Sequence, residues 1–95
     1  MCYEYVADIL VKRQPFRSAH LEHWRKELDG GTLRLAGAFK PADGAMFVFH
    51  GLTKEAIQEK ARSDPYVTAG LVTGVSTVDW SVVIGADSLA PPPPQ

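Results

Sequence analysis

This sequence predicts an α+β fold of the ferredoxin-like type, in which two helices cover one face of a four-stranded antiparallel sheet. Its predicted elements follow the order β-α-β-β-α-β, its strand segments alternate in side-chain polarity, and its helical segments end at residues typical of helix boundaries. The 95 residues are enough for one domain with one core. We place that domain at residues 1–84 and a proline-rich C-terminal tail at residues 85–95.

Composition and charge argue against several classes of function. Hydrophobic residues make up 45% of the chain and charged residues 22%, and the formal net charge is −1. This near-neutral balance gives no basic surface for nucleic acid and no polybasic patch for a membrane. The single cysteine, Cys2, cannot form a disulfide within the chain, and three histidines without clustered spacing do not predict a metal site. We expect a cytoplasmic protein without a cofactor.

The first half of the domain predicts a strand, a helix and a second strand. Residues 2–10 alternate with the strand period, and residues 12–31 predict the first helix. Pro15 suits the first turn of that helix, and Gly30 begins the pair of glycines that ends it. Residues 32–39, rich in small and apolar side chains, predict the second strand.

The second half predicts a turn, a strand, a helix and a final strand. Residues 40–45, KPADGA, contain the proline and Asp-Gly signals of a hairpin turn, and residues 46–51 predict the third strand. Residues 52–63 predict the second helix, with Thr53 as its N-cap. The last strand is predicted over residues 72–84, and the tail beyond it has the composition of polyproline II.

The uncovered face of the sheet predicts a partner subunit. The last strand divides its side chains into two sets, Val78, Trp80, Val82 and Ile84 on one face and Val75, Thr77, Asp79 and Val83 on the other. The third strand leaves one of two apolar pairs for the uncovered face, Met46 with Val48 or Phe47 with Phe49. A face this apolar exposes a large patch to water, so we expect two subunits to pack sheet to sheet as a homodimer.

An arginine and a histidine lie near the core-facing side of the first helix. Leu21, Trp24 and Leu28 define that side on a helical wheel of about 100° per residue. Arg17 falls in the same sector, and His20 lies at its edge. An inward arginine favours a pocket for an anion, whereas the alternative is that Arg17 only covers apolar surface. For His20 alone the ordinary interpretation is the stronger one, because a helical histidine beside an apolar stripe is more often an edge residue than a catalyst.

Asp64 precedes Pro65 in a pattern typical of a helix start, with Asp as N-cap and Pro at the first helical position. A carboxylate has two oxygens, so one can accept from backbone N–H groups while the other accepts from an imidazole. Glu4 and Asp8 are alternative acids. The sequence contains no glycine-rich phosphate loop, nucleophile elbow or dinucleotide fingerprint.

Four segments, in this order and spacing, make the chain similar to the YciI-like (YCII-related) family. They are RSAHL at 17–21, LRLAGAF at 33–39, DPYVTAGLV at 64–72 and VDW at 78–80. The resemblance extends from Tyr3 to about Val83. Two features depart from the family pattern, namely the short KPADGA turn and the proline-rich tail.

The resemblance implies a dimeric α+β barrel with a histidine–aspartate pair at its active site, which the motifs place on His20 and Asp64. Arg17 matches the motif arginine. Some members are dehydrochlorinases of chlorinated hydroxyquinols, and related barrels include muconolactone isomerases and small monooxygenases. We therefore expect a lyase or isomerase in which His20 transfers protons, Asp64 fixes its tautomer and Arg17 binds an anionic substrate oxygen. Tyr5, or Tyr3 if the other strand face lies under the helices, adds a hydroxyl or an aromatic wall.

The alternative is a non-catalytic function. The domain would then be a dimeric ligand-binding or interaction module. In that case His20, Asp64 and Arg17 would form a structural hydrogen-bond cluster that connects the two helices.

Overall fold

The computed structural model describes residues 1–85; the other ten residues of the predicted tail lie outside the described part. The four strands are β1 (Cys2–Tyr5), β2 (Leu33–Ala38), β3 (Gly44–Phe49) and β4 (Val72–Ser76). The helices are α1 (Ile9–Lys12), α2 (Arg17–Asp29), α3 (Lys54–Arg62) and α4 (Pro65–Thr68), with a 3-10 turn at Gln14–Phe16 before α2.

The strands form one antiparallel sheet in the order β2-β3-β1-β4, which confirms the predicted α+β class and four-stranded sheet. Tyr3 lies opposite Ala45 on one side and opposite Val75 on the other. This register turns Tyr3 and Phe47 toward the helices, where both are buried. Met46, one residue along β3, therefore points to the other face of the sheet.

The core lies between the sheet and the helices and has two parts. The larger cluster of buried side chains consists of Met1, Tyr3, Trp24, Leu33, Ala45, Phe47 and Ala61. A smaller cluster consists of Ile9, Tyr66 and Leu71, with Tyr5 packed against it. None of the helices within residues 1–85 has the length and the apolar run that crossing a bilayer needs.

The first predicted strand and helix are shorter than expected. β1 ends at Tyr5 because Asp8 adopts a left-handed φ of 60° and the chain then coils into α1. Ile9, expected in the strand, is instead buried against the smaller core cluster. Pro15 lies in the 3-10 turn before α2, so the long helix begins at Arg17 rather than at residue 12.

The last strand also ends early, at Ser76 instead of residue 84. Ser76 lies opposite Cys2, the first residue of β1, and no later residue pairs with a neighbouring strand in the described chain. Residues 77–85 therefore form no strand in the described chain. Within them Val78 is exposed, and 62% of Trp80 is exposed.

Helix α2 presents a different side to the core than the wheel predicts. Trp24 is buried as expected and Leu21 is half-buried, but Leu28 is 50% exposed. His20, predicted at the edge, is buried. Arg17 is exposed, although the wheel places it inward. The helix is thus rotated toward His20 and Trp24, the two residues whose side chains hydrogen bond in the interior.

Candidate functional site

Asp64 lies between α3 and α4, and its side chain is 0% exposed. It caps α4: its Oδ1 accepts a hydrogen bond from the Tyr66 backbone N–H at 2.9 Å, and Pro65 occupies the first helical position. Proline lacks a backbone N–H, so the first helical position has no donor that would require the carboxylate as acceptor. The local sequence Asp-Pro-Tyr therefore fixes both the turn and the direction of the carboxylate, and the predicted cap is confirmed.

His20 approaches the same carboxylate from the second turn of α2. Its Nδ1 lies 2.7 Å from Asp64 Oδ1. Because an ionised carboxylate can only accept, Nδ1 carries the proton that it donates to Asp64. The structure thus brings together the histidine and the aspartate that the sequence singled out.

The second carboxylate oxygen, Oδ2, accepts two more hydrogen bonds. The hydroxyl of Tyr3 donates at 2.7 Å and the indole Nε1 of Trp24 at 2.8 Å. Sequence reasoning missed both contacts, since it used Trp24 only as a core residue. One signal was available: a buried tryptophan needs an acceptor for its N–H, and Asp64 was the acid already expected nearby. We call these residues, Tyr3, His20, Trp24, Asp64 and Tyr66, the Asp64 cluster.

The hydrogen bonds keep Asp64 ionised inside the protein. Burial by itself raises the pKa of a carboxyl group, because it penalises the charged form. The hydrogen bond and charge of His20, followed by the hydrogen bonds from Trp24 and Tyr3, outweigh burial and hold the pKa of Asp64 below its usual value. For Tyr3, burial and the neighbouring carboxylate both raise the pKa, so its phenol remains a neutral donor.

The imidazole of His20 is held on a second side by an aromatic ring. The rings of His20 and Tyr66 are parallel within 3°, with centroids 3.6 Å apart. With Nδ1 committed to Asp64, Nε2 is directed away from the carboxylate, and no residue of the described chain hydrogen bonds to it. The hydrogen bond to Asp64 thus fixes the tautomer of the imidazole and the direction of Nε2, which can contact another molecule.

Of the two expected substrate-binding residues, Tyr5 packs against Tyr66, the ring that stacks on His20. Tyr5 is half-buried, with its ring edge-on to Tyr66 at a centroid distance of 6.0 Å. Burial first, and then the neighbouring Tyr66 and Asp64, raise the pKa of Tyr5 to about 12, whereas Arg13 and Arg17 act in the opposite direction. The exposed Arg17 is therefore close enough to act on the Tyr5 hydroxyl. It forms no ion pair with a carboxylate of residues 1–85.

The other histidines and acids do not join the site. Nε2 of His23 hydrogen bonds to the Lys60 backbone carbonyl at 2.9 Å and so connects α2 to α3. Glu4 and Asp8, the alternative acids, are exposed. Within residues 1–85 no three His, Cys, Asp or Glu side chains come together as a metal site would require.

An open cavity lies elsewhere in the described part of the chain. Its volume is about 750 Å³, and its lining includes Met46, Phe49, His50 and Trp80 but neither member of the histidine–aspartate pair. We call it the Trp80 cavity. Its lining is mainly apolar, and it includes residues after β4 that belong to no strand of the described chain.

The fold is similar to that of 5-chloro-2-hydroxyhydroquinone dehydrochlorinase from Burkholderia phenoliruptrix, whose structure is a complex with 2,5-dihydroxybenzoquinone. The TM-score is 0.71 and the sequence identity 16%, and the alignment covers 85% of this chain and 94% of that one. At this identity the likeness concerns the fold alone. Comparison with curated protein sequences finds no significant match. Residues 1–81, however, match the YCII-related domain. That match spans most of the chain and confirms the resemblance seen in its motifs: the protein belongs to the YCII-related domain family.

Proposed function

We propose that the protein is a small-molecule enzyme in which His20, oriented by Asp64, performs general acid–base catalysis of a lyase or isomerase type. The substrate is a small anionic molecule, with a hydroxylated ring as the first candidate. The observation that carries the proposal is the 2.7 Å contact between Nδ1 and a fully buried carboxylate, which leaves Nε2 without a hydrogen-bond partner in the described chain. Such an arrangement prepares one nitrogen to accept and return a proton.

In the proposed reaction, Nε2 of His20 takes a proton from the substrate. The ionised Asp64 offsets the positive charge that the ring gains, in the way that a buried aspartate supports histidine in other acid–base pairs. Arg17 and Tyr5 bind an anionic oxygen of the substrate and stabilise the charge that develops there. In the dehydrochlorinase form of the reaction, the protonated imidazole returns its proton to the chlorine-bearing ring carbon, a second hydroxyl proton is then lost, and chloride leaves with the electron pair of the C–Cl bond. The overall change is loss of HCl, which needs no oxidant.

The choice of ligand class is supported by the fold comparison. The dehydrochlorinase of similar fold holds 2,5-dihydroxybenzoquinone, a planar ring with acidic oxygens. A planar anion is also the ligand that an arginine and a phenol hydroxyl beside an aromatic pair would suit. Hydroxylated quinones and chlorinated hydroxyhydroquinones are therefore the first compounds to test.

The decisive experiment replaces His20 by Gln and measures chloride release from chlorinated hydroxyhydroquinones, together with isomerisation of enolisable acids. We expect the variant to lose about 10²–10⁴-fold in rate, the contribution typical of a positioned general acid–base. His23→Gln is the matched control. It also removes a histidine of α2, but one that hydrogen bonds to α3. Equal turnover by the wild-type and His20→Gln proteins would rule out the acid–base role.

A structural role is the competing explanation, and one observation favours it. Asp64 accepts four hydrogen bonds while fully buried, so the cluster contributes to the fold whether or not it performs chemistry. If the role of His20 were only structural, His20→Gln would lower the free energy of unfolding by about 1–3 kcal/mol and leave ligand binding unchanged. Urea denaturation and ligand titration of the same variant distinguish the two roles.

We further propose that two chains form a homodimer through the sheet face that the helices leave uncovered. That face carries exposed apolar side chains, among them Met46 and the 55% exposed Leu35. Next to it lie Val78 and Trp80, in the segment that alternates with the strand period but finds no partner strand within the described chain. A second copy would cover the face and supply neighbours for this segment.

A further inference from the structure

The hydroxyl of Tyr66 is a buried polar group that packing does not explain. Tyr66 is 1% exposed, and its hydroxyl has no hydrogen-bond partner within residues 1–85. Such groups are rare in native proteins because burial removes their contact with water. The same ring without its hydroxyl could stack on His20 and fill the apolar cluster with Ile9 and Leu71 equally well. The hydroxyl therefore points to a role other than packing.

The position of the Tyr66 ring relates its hydroxyl to the candidate site. The ring is parallel to the imidazole of His20 at 3.6 Å and meets the ring of Tyr5 at 6.0 Å. The hydroxyl is bonded to that ring, so it lies close to the stacked imidazole of His20. One small planar molecule in contact with Nε2 of His20 is thus large enough to reach the Tyr66 hydroxyl.

Two arginines, Arg13 and Arg17, counter the negative charge of Asp64 near Tyr5. Arg13 is half-buried at the end of α1, where its backbone N–H bonds to the carbonyl of Ile9, a member of the same core cluster as Tyr66. Arg13 and Arg17 both act on the hydroxyl of Tyr5. Neither arginine forms an ion pair with a carboxylate in the described part of the chain. A half-buried cation without a carboxylate partner, whose charge acts on the Tyr5 hydroxyl, favours an anionic oxygen as ligand.

We propose that Tyr66 and Arg13 are substrate-binding residues: the Tyr66 hydroxyl donates a hydrogen bond to an anionic oxygen on the substrate ring, and Arg13 shares the neutralisation of that oxygen with Arg17. The ligand reaches the hydroxyl when the half-buried Tyr5 side chain moves aside. The inference rests on the proposed function, because it places the ligand beside the imidazole that transfers the proton.

The test compares affinities by isothermal titration calorimetry. The probes are 2,5-dihydroxybenzoquinone and its dimethyl ether, which has the same ring but no acidic oxygen. We expect the wild-type protein to bind the first and to bind the ether much more weakly. Tyr66→Phe should weaken binding of the dihydroxy compound about 10- to 100-fold, the value of a hydrogen bond to a charged acceptor. Arg13→Gln should weaken it by at least about tenfold. Lys12→Gln, which removes an exposed neighbouring charge, is the control and should leave the affinity within about twofold.

A second measurement separates binding from structure. Removing a hydroxyl that has no partner should leave the urea midpoint of Tyr66→Phe unchanged or higher, whereas removing a structural hydrogen bond would lower it. Affinity equal to wild type in both Tyr66→Phe and Arg13→Gln would overturn the inference. Failure of the wild-type protein to bind the dihydroxy compound, or equal binding of the ether, would overturn the anionic ring as ligand.

The outcomes for the inference and for the proposed function can be told apart. If the Tyr66 and Arg13 variants lose affinity but His20→Gln turns over normally, the binding site stands and the acid–base function is wrong. If His20→Gln loses turnover but the two binding variants behave as wild type, the function stands and only this inference is wrong.

Discussion

Asp64 accepts hydrogen bonds from β1, from α2 and from its own turn through two oxygens. Oδ1 takes both the backbone N–H of Tyr66 and the imidazole of His20, while Oδ2 takes Tyr3 and Trp24. The cap was readable in the Asp-Pro sequence, and the partner histidine was implied by the family motifs. The sequence predicted that one oxygen accepts from the backbone and the other from the imidazole. In the structure, Oδ1 accepts both of these hydrogen bonds. This distribution of hydrogen bonds depends on tertiary contacts of β1 and α2, which periodicity does not specify.

The low pKa of Asp64 predicts how folding stability depends on pH. A carboxyl group whose pKa is lower in the folded state than in the unfolded state stabilises the fold above its unfolded pKa, and that contribution is lost as the pH falls through the folded-state value. We expect the free energy of unfolding to decline below about pH 4, the ordinary range of aspartate. Asp64→Asn should cost about 1–3 kcal/mol at pH 7, because the amide leaves at least one buried donor unmatched.

Measurements at acid pH isolate the contribution of the ionised Asp64 carboxylate to the free energy of unfolding. The difference in unfolding free energy between the wild-type and Asp64→Asn proteins should shrink as the pH is lowered from 6 toward 2, as measured by urea denaturation at each pH. Glu27→Gln is the comparison, because the pKa of Glu27 is also lowered, chiefly by its hydrogen bond from Lys60, but at a less buried position. A pH-independent difference for Asp64→Asn would show that Asp64 is not an ionised buried group.

Arg17 shows where the helical wheel fails at the scale of one residue. The wheel gives the direction of its Cα–Cβ bond, but Arg17 is the first residue of α2 and has a long side chain. Such a side chain can run along the surface and remain exposed, as it does here. Its relation to the hydroxyl of Tyr5, rather than burial, is what associates it with the candidate site.

At the scale of elements, α3 is the helix that its sequence specifies most directly. Thr53 adopts an extended conformation before the helix, and its hydroxyl accepts from the Ala56 backbone N–H at 3.1 Å. Glu55 adds an acidic side chain in the first turn, where the helix dipole favours it. Both features are local, which is why the N-cap was predicted correctly.

This cap can be tested by substitution. Thr53→Ala should lower the free energy of unfolding by about 1 kcal/mol, because it leaves an N–H of the first helical turn without its side-chain acceptor. Ser63→Ala is the matched control at the other end of α3: Ser63 is exposed, and only its backbone takes part in the helix end. Chemical denaturation of the two variants gives the comparison, and equal losses would contradict a specific capping effect.

Strand ends were harder to predict than helix ends. Alternation extends the last strand to residue 84, yet the pairing of β4 with β1 ends at Ser76, opposite Cys2. The first strand likewise loses its last residues to α1, because burial of Ile9 in the smaller core cluster competes with strand pairing. A strand needs a neighbour for its backbone groups, and the length of that neighbour is not written in the strand's own pattern.

At the scale of the whole molecule, the order of elements was enough to predict the sheet and its covered face. The apolar character of the other face was also evident, and the register resolves which pair points there: Phe47 and Phe49 belong to the covered side, and Met46 and Val48 to the other. The assembly itself stays a prediction. So does the boundary between domain and tail at residue 84, although the family match ends close to it, at residue 81.

The proposed dimer predicts a response to charge on the uncovered face. Leu35→Glu should raise the dimer dissociation constant by at least about tenfold, because a carboxylate would have to be desolvated against an apolar partner surface. Sedimentation velocity over a range of protein concentrations measures the shift. Val11→Glu is the control, since Val11 is an exposed apolar residue on α1, outside the sheet. A wild-type protein that stays monomeric at high micromolar concentration would contradict the proposed assembly.

The two tryptophans of the chain lie in opposite surroundings, Trp24 bound to a buried carboxylate and Trp80 largely in solvent beside the uncovered face. The fluorescence of the two tryptophans therefore reports on two different events. Emission from Trp24 shifts to longer wavelength when the core opens, and emission from Trp80 shifts to shorter wavelength when another surface covers it. Single replacements by phenylalanine would let a spectrometer follow unfolding and association as independent signals.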